Sequence, residues 1–185
     1  LTTNGTFPKR SSKEWAILLV PVLSDIKISI NASYKKLQES IMVGSKFEKM
    51  LVNICNFVLE RDSYYKSYGH YCTITFQVTF MEDNVNDLVN LLKLAAELGI
   101  DRLKGHHLWI HSPHMEKQSM RRDQLSLNTW NNIVDEVYEA QKKYTKKNGE
   151  KIKLQNFNQV GLTSEEISQD SICPFLGKEA WINTV

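Results

Sequence analysis

The sequence has little of what a disulfide-stabilised or membrane-spanning protein needs. Only three of its 185 residues are cysteine, an odd number at scattered positions. This argues against a disulfide framework and predicts a protein of the reducing cytoplasm. No apolar run reaches the length of a bilayer span. The formal net charge of +2 gives no global field that would recruit nucleic acid or a membrane surface. We therefore expect neither as a partner.

What the chain does contain is a strand, a helix and a second strand within residues 73–110. Thr73 to Phe80 alternates polar and apolar residues, as a strand does. Apolar residues then recur at helical spacing up to Gly99, which stands where a C-cap glycine belongs. Residues 101–110 predict the second strand. Such a βαβ unit implies a parallel sheet.

The first of these strands has an unusual polar face. Its apolar face is formed by Cys72, Ile74, Phe76, Val78 and Phe80, and its polar face by Thr73, Thr75, Gln77 and Thr79. Strands of a parallel sheet are normally covered on both faces, and each unpaired buried polar group costs about 1–3 kcal/mol. The interior of a barrel that holds a polar ligand would supply the missing partners. An antiparallel edge strand with one solvated face is the alternative.

Upstream, the pattern predicts two further strands with helices between them. Residues 1–5 resemble the end of a strand, and residues 24–31 alternate again. Ser11 with Glu14 and Ser45 with Glu48 predict two capping boxes, each opening a helix. A short helix is predicted at about residues 34–42, and an aromatic-rich loop at residues 64–71.

Polar stripes recur on these strands. The second strand carries Asp25, Lys27, Ser29 and Asn31, and the fourth carries Arg102, Lys104 and His106 on one side. The alternation of four strands with three helices predicts an α/β fold with parallel strands. A flat, doubly wound sheet would bury these charges under helices, so a barrel, in which the stripes converge on one cavity, is favoured.

Residues after 114 predict one more amphipathic helix and a polar tail. The helix ends near Asn148 and Gly149. The lysine run from Lys142 to Lys153 is interpreted as solvated helix-end charge, because no aromatic stacking platform other than Tyr144 interleaves with it. Residues 155–172 predict a linker.

Five segments occur in order along the chain: LTTNGTF, IKISINA, TFQVTFMEDN, DRLKGHHLW and CPFLGKEAWIN. This combination resembles the radical S-adenosylmethionine enzymes that carry a C-terminal SPASM domain. The resemblance implies that residues 1–154 form a partial parallel (β/α) barrel, about strands three to six of the family's six. Residues 155–172 would then be the linker, and residues 173–185 the beginning of the SPASM domain.

The reaction implied by the resemblance is reductive cleavage of S-adenosylmethionine by a 4Fe–4S cluster. The adenosyl radical then removes hydrogen from a substrate, which the family precedent makes a peptide, a protein or a small molecule. An electron donor such as flavodoxin or ferredoxin is implied as a partner. The cluster signature C-x-x-x-C-x-x-C does not occur in these residues, so we expect it upstream of Leu1 and expect this chain to be an internal fragment. No catalytic residue is assigned.

The candidate cofactor-binding residues come from two arguments. Carried over by position, the first strand end (Thr2 and Asn4) and Ser29 match polar residues that contact S-adenosylmethionine, and Asn31 stands where many members have Asp. The polar-stripe argument adds three more: Gln77, Thr79 and His106. Cys173 is the candidate ligand of an auxiliary Fe–S cluster, whose remaining cysteines would lie beyond Val185.

Other chemistries remain open. Lys27 or Lys104 on a barrel strand would suit a Schiff-base lyase of the aldolase type, and a non-catalytic binding remnant is a third hypothesis. His106 and His107 are adjacent, so we expect one to line the cavity and one to pack outward; a zinc site is not favoured. Cys55 and Cys72 are interpreted as core residues.

Overall fold

A parallel sheet of five strands organises residues 1–161, the part of the chain that the computed structural model describes. The strands are β1 (Thr2–Thr3), β2 (Asp25–Ser29), β3 (Thr73–Phe80), β4 (Arg102–His107) and β5 (Lys153–Gln155). The helices are α1 (Ser12–Leu19), α2 (Lys35–Ile41), α3 (Phe47–Tyr68), α4 (Leu88–Leu98) and α5 (Gln124–Lys143), with two 3-10 turns at Val85–Asp87 and Pro113–Gln118. None of the described helices is both long enough and apolar enough to cross a membrane.

The strands lie in the same order in the sheet as in the sequence, and all four pairings are parallel. Every connection between neighbouring strands contains at least one helix. The predicted α/β fold with parallel strands is therefore confirmed. The strand order does not reverse within the described residues, whereas a doubly wound sheet reverses its order at a switch point.

One face of the sheet forms the core with the helices. Ile28, Phe76 and Leu103 are at most 1% exposed and belong to one apolar cluster with Ile54 of α3 and Leu91 of α4. Burying a side chain of this size stabilises the fold by about 1.5–3 kcal/mol. Burial in this core explains why every second residue of these strands is apolar.

Helix ends confirm one predicted capping box and contradict the other. The Oγ atom of Ser11 accepts a hydrogen bond from the Glu14 N–H. The Glu14 carboxylate accepts in return from the Ser11 N–H at 2.9 Å. Helix α3 instead begins at Phe47 without a capping bond from its own N-cap residue. The carboxylate of Glu39 accepts from the Phe47 N–H at 3.0 Å, so a residue of α2 does what Ser45 was predicted to do.

The predicted aromatic loop at residues 64–71 is mostly helix. Helix α3 continues to Tyr68, and Gly69 ends it in the left-handed conformation at φ 74°. Tyr64 and Tyr68 lie one turn apart with ring centroids 4.6 Å from each other. Contacts between residues four apart stabilise a helix, and this explains why the aromatic run extends α3.

The end of the described chain departs most from prediction. Strand β5 was not predicted, and Lys146 is 8% exposed rather than solvated. Residues 155–161, predicted to begin a linker, pack on α5: Phe157 is 1% exposed, and Trp130 Nε1 donates to the carbonyl of Asn158. The rest of the predicted linker and the predicted SPASM segment at residues 173–185 lie outside the described residues.

Candidate functional site

Polar side chains form rows across the face of the sheet opposite the apolar core. One row follows the register Ser29, Gln77, Lys104 and Gln155. The row nearer the amino ends of the strands is Thr2, Lys27, Thr75, Arg102 and Lys153. The polar stripes therefore share one face of the sheet, and their convergence on a barrel cavity stays a prediction.

Towards the carboxyl ends of the strands, five polar side chains of this face form what we call the carboxyl-end cluster. Its members are Ser29, Gln77, Thr79, Lys104 and His106. Ser29 is directly opposite Gln77, and Gln77 is directly opposite Lys104. Thr79 Oγ1 lies 3.2 Å from His106 Nε2. Four of the predicted cofactor-binding residues are therefore neighbours on three adjacent strands.

Three members of the cluster have polar groups that are free to bind something else. Within residues 1–161, the side chains of Ser29, Gln77 and Lys104 form no hydrogen bond or ion pair. All three are half-buried. Half-buried hydroxyl, amide and ammonium groups on one surface offer both donors and acceptors to a polar ligand.

The two adjacent histidines point to opposite faces, as predicted. Partial burial and the nearby Lys104 lower the pKa of His106 on the polar face. His107 packs against Phe80 and Trp130, with ring centroids 5.4 and 4.7 Å away. Burial, with a smaller contribution from Arg121, lowers the pKa of His107 to about 4. Both imidazoles are therefore neutral at pH 7, and a neutral ring offers one donor and one acceptor.

Asn31 connects the end of β2 to β3. Its Oδ1 accepts from the Thr79 N–H at 2.9 Å, and its own N–H donates to Gln38 Oε1 at 2.8 Å. Its carbonyl accepts from Asn84 Nδ2 at 2.9 Å. The side-chain oxygen of Asn31 thus holds the backbone on which the carboxyl-end cluster is built.

The residues that hold the loops at the carboxyl ends of β2 and β3 were not predicted from the sequence. Asn84 is fully buried, and its Nδ2 also donates to the Thr79 carbonyl. Asp87 accepts from the Ser33 N–H and Oγ at 2.6 and 2.7 Å. The one signal in the sequence was a run of polar residues directly after β3, which indicates a loop but not its partners.

Thr2 and Asn4 are not brought into the carboxyl-end cluster. Thr2 is opposite Lys27, two residues before Ser29. Asn4 Oδ1 accepts from the Thr6 N–H at 3.0 Å, which forms a local turn. Lys27 lies 3.8 Å from the Asp25 carboxylate, which also accepts from Thr75 Oγ1.

The described cysteines do not fit an iron–sulfur cluster, which requires a set of thiolates at one place. Cys72 is fully buried, as predicted, and burial raises the pKa of its thiol to about 11. Cys55 of α3 is only half-buried and lies outside the apolar core cluster, so its interpretation as a core residue was wrong. Within residues 1–161 no three His, Cys, Asp or Glu side chains could hold one metal ion. Cys173 lies outside the described residues.

Comparison with known proteins adds no family to these observations. The chain matches neither a model of a known protein family nor a curated protein. The class that the structure defines is therefore the α/β protein with a sequentially ordered parallel sheet and one polar sheet face.

Proposed function

We propose that this chain is part of a radical S-adenosylmethionine enzyme, in which the carboxyl-end cluster binds S-adenosylmethionine. The observation that carries the proposal is the position of Ser29, Gln77, Thr79 and His106 on adjacent parallel strands. Ligands of α/β sheets and barrels bind at the carboxyl ends of the strands. The ligand is proposed to be S-adenosylmethionine because the five sequence segments resemble those of radical S-adenosylmethionine enzymes.

The side chains present fit such a ligand. S-adenosylmethionine carries ribose hydroxyls, an amino group and a carboxylate, and all of these need hydrogen-bond partners. Ser29 and Gln77 supply a hydroxyl and an amide without partners in the described residues, and Lys104 supplies a positive charge for the carboxylate. When bound and reduced, S-adenosylmethionine supplies an adenosyl radical.

The 4Fe–4S cluster is not assigned to these residues. Cys72 faces the apolar core, and Cys55 lies on α3, so neither thiol joins the carboxyl-end cluster. The proposal therefore gives residues 1–161 the binding and orientation of S-adenosylmethionine. A peptide, protein or small-molecule substrate and an electron donor such as flavodoxin or ferredoxin are supported by the resemblance alone.

The Schiff-base alternative has less support. A lysine becomes a nucleophile when its surroundings favour the neutral amine. Lys27 instead lies 3.8 Å from the Asp25 carboxylate, and Lys104 is only half-buried, so neither lysine lies in a closed apolar pocket.

The proposal is tested by titrating S-adenosylmethionine into the full-length protein in a calorimeter. We expect saturable binding, and a Kd raised at least about tenfold in Ser29→Ala/Gln77→Leu, because each lost hydrogen bond to a charged or polar group contributes on the order of 1 kcal/mol or more. Thr73→Ala is the matched control, since Thr73 lies on the same strand and face roughly 13 Å from Gln77. Equal affinity in all three proteins would refute the assignment.

A further inference from the structure

A second candidate site lies at the opposite end of the sheet. A half-open cavity of about 1060 Å³ is lined by the first residues of three strands, Thr73 of β3, Arg102 of β4 and Lys153 of β5. Helix α3, the end of α4 and the segment between α5 and β5 complete its wall. Its volume is slightly above the roughly 300–1,000 Å³ that small-molecule sites occupy.

The wall of this cavity is fixed by a buried carboxylate. Asp101 accepts from Arg61 Nη1 at 2.6 Å, from Lys146 Nζ at 2.9 Å, from Tyr71 Oη at 2.5 Å and from the Ile74 N–H at 2.8 Å. Arg61 is 3% exposed and Lys146 is 8% exposed. These four hydrogen bonds connect Arg61, Tyr71 and Lys146 of the cavity wall to one buried carboxylate.

The carboxylates that line the cavity are all paired. Asp101 is bonded as described, and Asp62 lies 2.7 Å from Arg61 Nε. Glu150 lies 2.6 Å from Lys146 Nζ. Glu97 lies 3.9 Å from a lysine on its own helix, outside the cavity wall. Six basic and four acidic side chains line the cavity, so its lining keeps a net charge of +2.

Four basic side chains of the lining have no such partner. Arg102, Lys147, Lys151 and Lys153 line the cavity and form no ion pair within residues 1–161. Arg102 and Lys153 are directly opposite each other on neighbouring strands. Like charges in that position destabilise a sheet. A bound anion would remove this repulsion.

An aromatic wall adjoins these cations. Tyr65 is 51% exposed, and its ring meets the ring of Tyr71 edge-on at a centroid distance of 5.1 Å. Tyr71 is held in place by its bond to Asp101 and by Arg61, whose guanidinium carbon lies 5.1 Å from the ring centre. The free face of an exposed, supported ring suits a planar ligand group.

We propose that this cavity binds a small molecule that carries a polyphosphate group, with the phosphates against Arg102, Lys147, Lys151 and Lys153. A nucleotide would place its base at Tyr65, whereas an inorganic polyphosphate would use the cations alone. The site is separate from the carboxyl-end cluster, so this inference does not depend on the proposed function.

The test is a calorimetric titration of the full-length protein with sodium tripolyphosphate and, separately, with ATP. We expect one saturable site for either probe and a Kd raised at least about tenfold in Arg102→Gln/Lys153→Gln. Lys147→Gln/Lys151→Gln alters only exposed side chains and should weaken binding without affecting folding. If Tyr65→Ala weakens ATP but not tripolyphosphate, the ligand is a nucleotide; if it weakens neither, the polyphosphate group alone is recognised.

The control separates a site from general charge attraction. Lys13 of α1 and Lys36 of α2 are exposed and form no ion pair in the described part of the chain, so Lys13→Gln/Lys36→Gln removes the same charge elsewhere. The Kd of this variant should equal that of the unaltered protein. The proposal is overturned if neither probe binds, or if the control loses as much affinity as the cavity variants.

Discussion

The carboxylate of Asp101 and the guanidinium of Arg61 lie 2.6 Å apart, and both residues are at least nine-tenths buried. Lys146 adds a second buried cation on the same carboxylate. Burial alone would raise the pKa of Asp101, but the Ile74 N–H, Tyr71 and Arg61 outweigh it and lower that pKa. Residues from α3, the start of β4 and the α5–β5 connection are thereby joined at one point.

Asp101→Asn should therefore destabilise the fold by up to about 3–5 kcal/mol, because the buried Arg61 and Lys146 then keep only the exposed carboxylates of Asp62 and Glu150 as counter-charges. Chemical denaturation measures this loss. Glu136→Gln removes the same charge from an exposed position of α5 and should change the free energy of unfolding by less than about 0.5 kcal/mol. Adding Lys146→Met to Asp101→Asn should recover part of the stability; a further loss would show that the pairing is not what stabilises this region.

Acid should destabilise the protein through His107. Its pKa is about 4 in the fold, below the ordinary 6.5, so the unfolded chain binds the proton more tightly. The stabilisation is complete above pH 6.5 and is lost as the pH falls towards 4, by up to about 3 kcal/mol. The free energy of unfolding between pH 7 and pH 4 should fall less steeply in His107→Gln. The exposed His114→Gln should behave like the unaltered protein, and an unchanged slope in His107→Gln would contradict the assignment.

Gly105 should not tolerate a side chain. A Cβ atom at this position of β4 would overlap the ring of Phe80 on the neighbouring strand. We expect Gly105→Ala to lower the melting temperature, with a cost of about 1–3 kcal/mol from overpacking. Phe80→Leu in the same chain should make room and reduce that cost, so the two substitutions should be non-additive. Strict additivity would argue against the overlap.

Asn31 should control the local stability of β3 at Thr79. Asn31→Ala removes the acceptor of the Thr79 N–H, and a buried unsatisfied donor costs about 1–3 kcal/mol. Hydrogen exchange of the Thr79 amide should then be about tenfold faster or more. Asn31→Asp keeps an acceptor oxygen and should preserve the protection. Unchanged exchange of the Thr79 amide in Asn31→Ala would show that this hydrogen bond does not control it.

Local pattern predicted the strands whose two faces differ most. The alternation in Thr73 to Phe80 encodes both β3 and its polar face, because period two is a property of neighbouring residues. The same alternation in Ile152 and Leu154 was hidden by the lysines around them, and β5 was missed. Two of the three residues of β5 are exposed, which is why its composition did not resemble a strand.

Contacts between distant residues were not predictable from pattern. Lys146 is buried because its ammonium group pairs with Asp101. The two residues are 45 positions apart in the chain but adjacent in space, so the sequence pattern gave no sign of the pair. Glu39 replaces Ser45 at the start of α3 for the same kind of reason. The residues of the carboxyl-end cluster could be predicted to be neighbours, because a βαβ pattern implies parallel strands. The hydrogen bond between Asn31 and Asn84 could not be predicted, because side-chain amides give no periodic signal in the sequence.

The central claim is that the carboxyl-end cluster belongs to an enzyme that cleaves S-adenosylmethionine reductively. The most direct measurement is 5′-deoxyadenosine, assayed after anaerobic incubation of the iron-loaded full-length protein with S-adenosylmethionine and dithionite. The account predicts that 5′-deoxyadenosine forms, that Ser29→Ala/Gln77→Leu lowers its yield at limiting S-adenosylmethionine, and that Thr73→Ala does not. Unaltered S-adenosylmethionine in every sample, or equal yields from all three proteins, would contradict it.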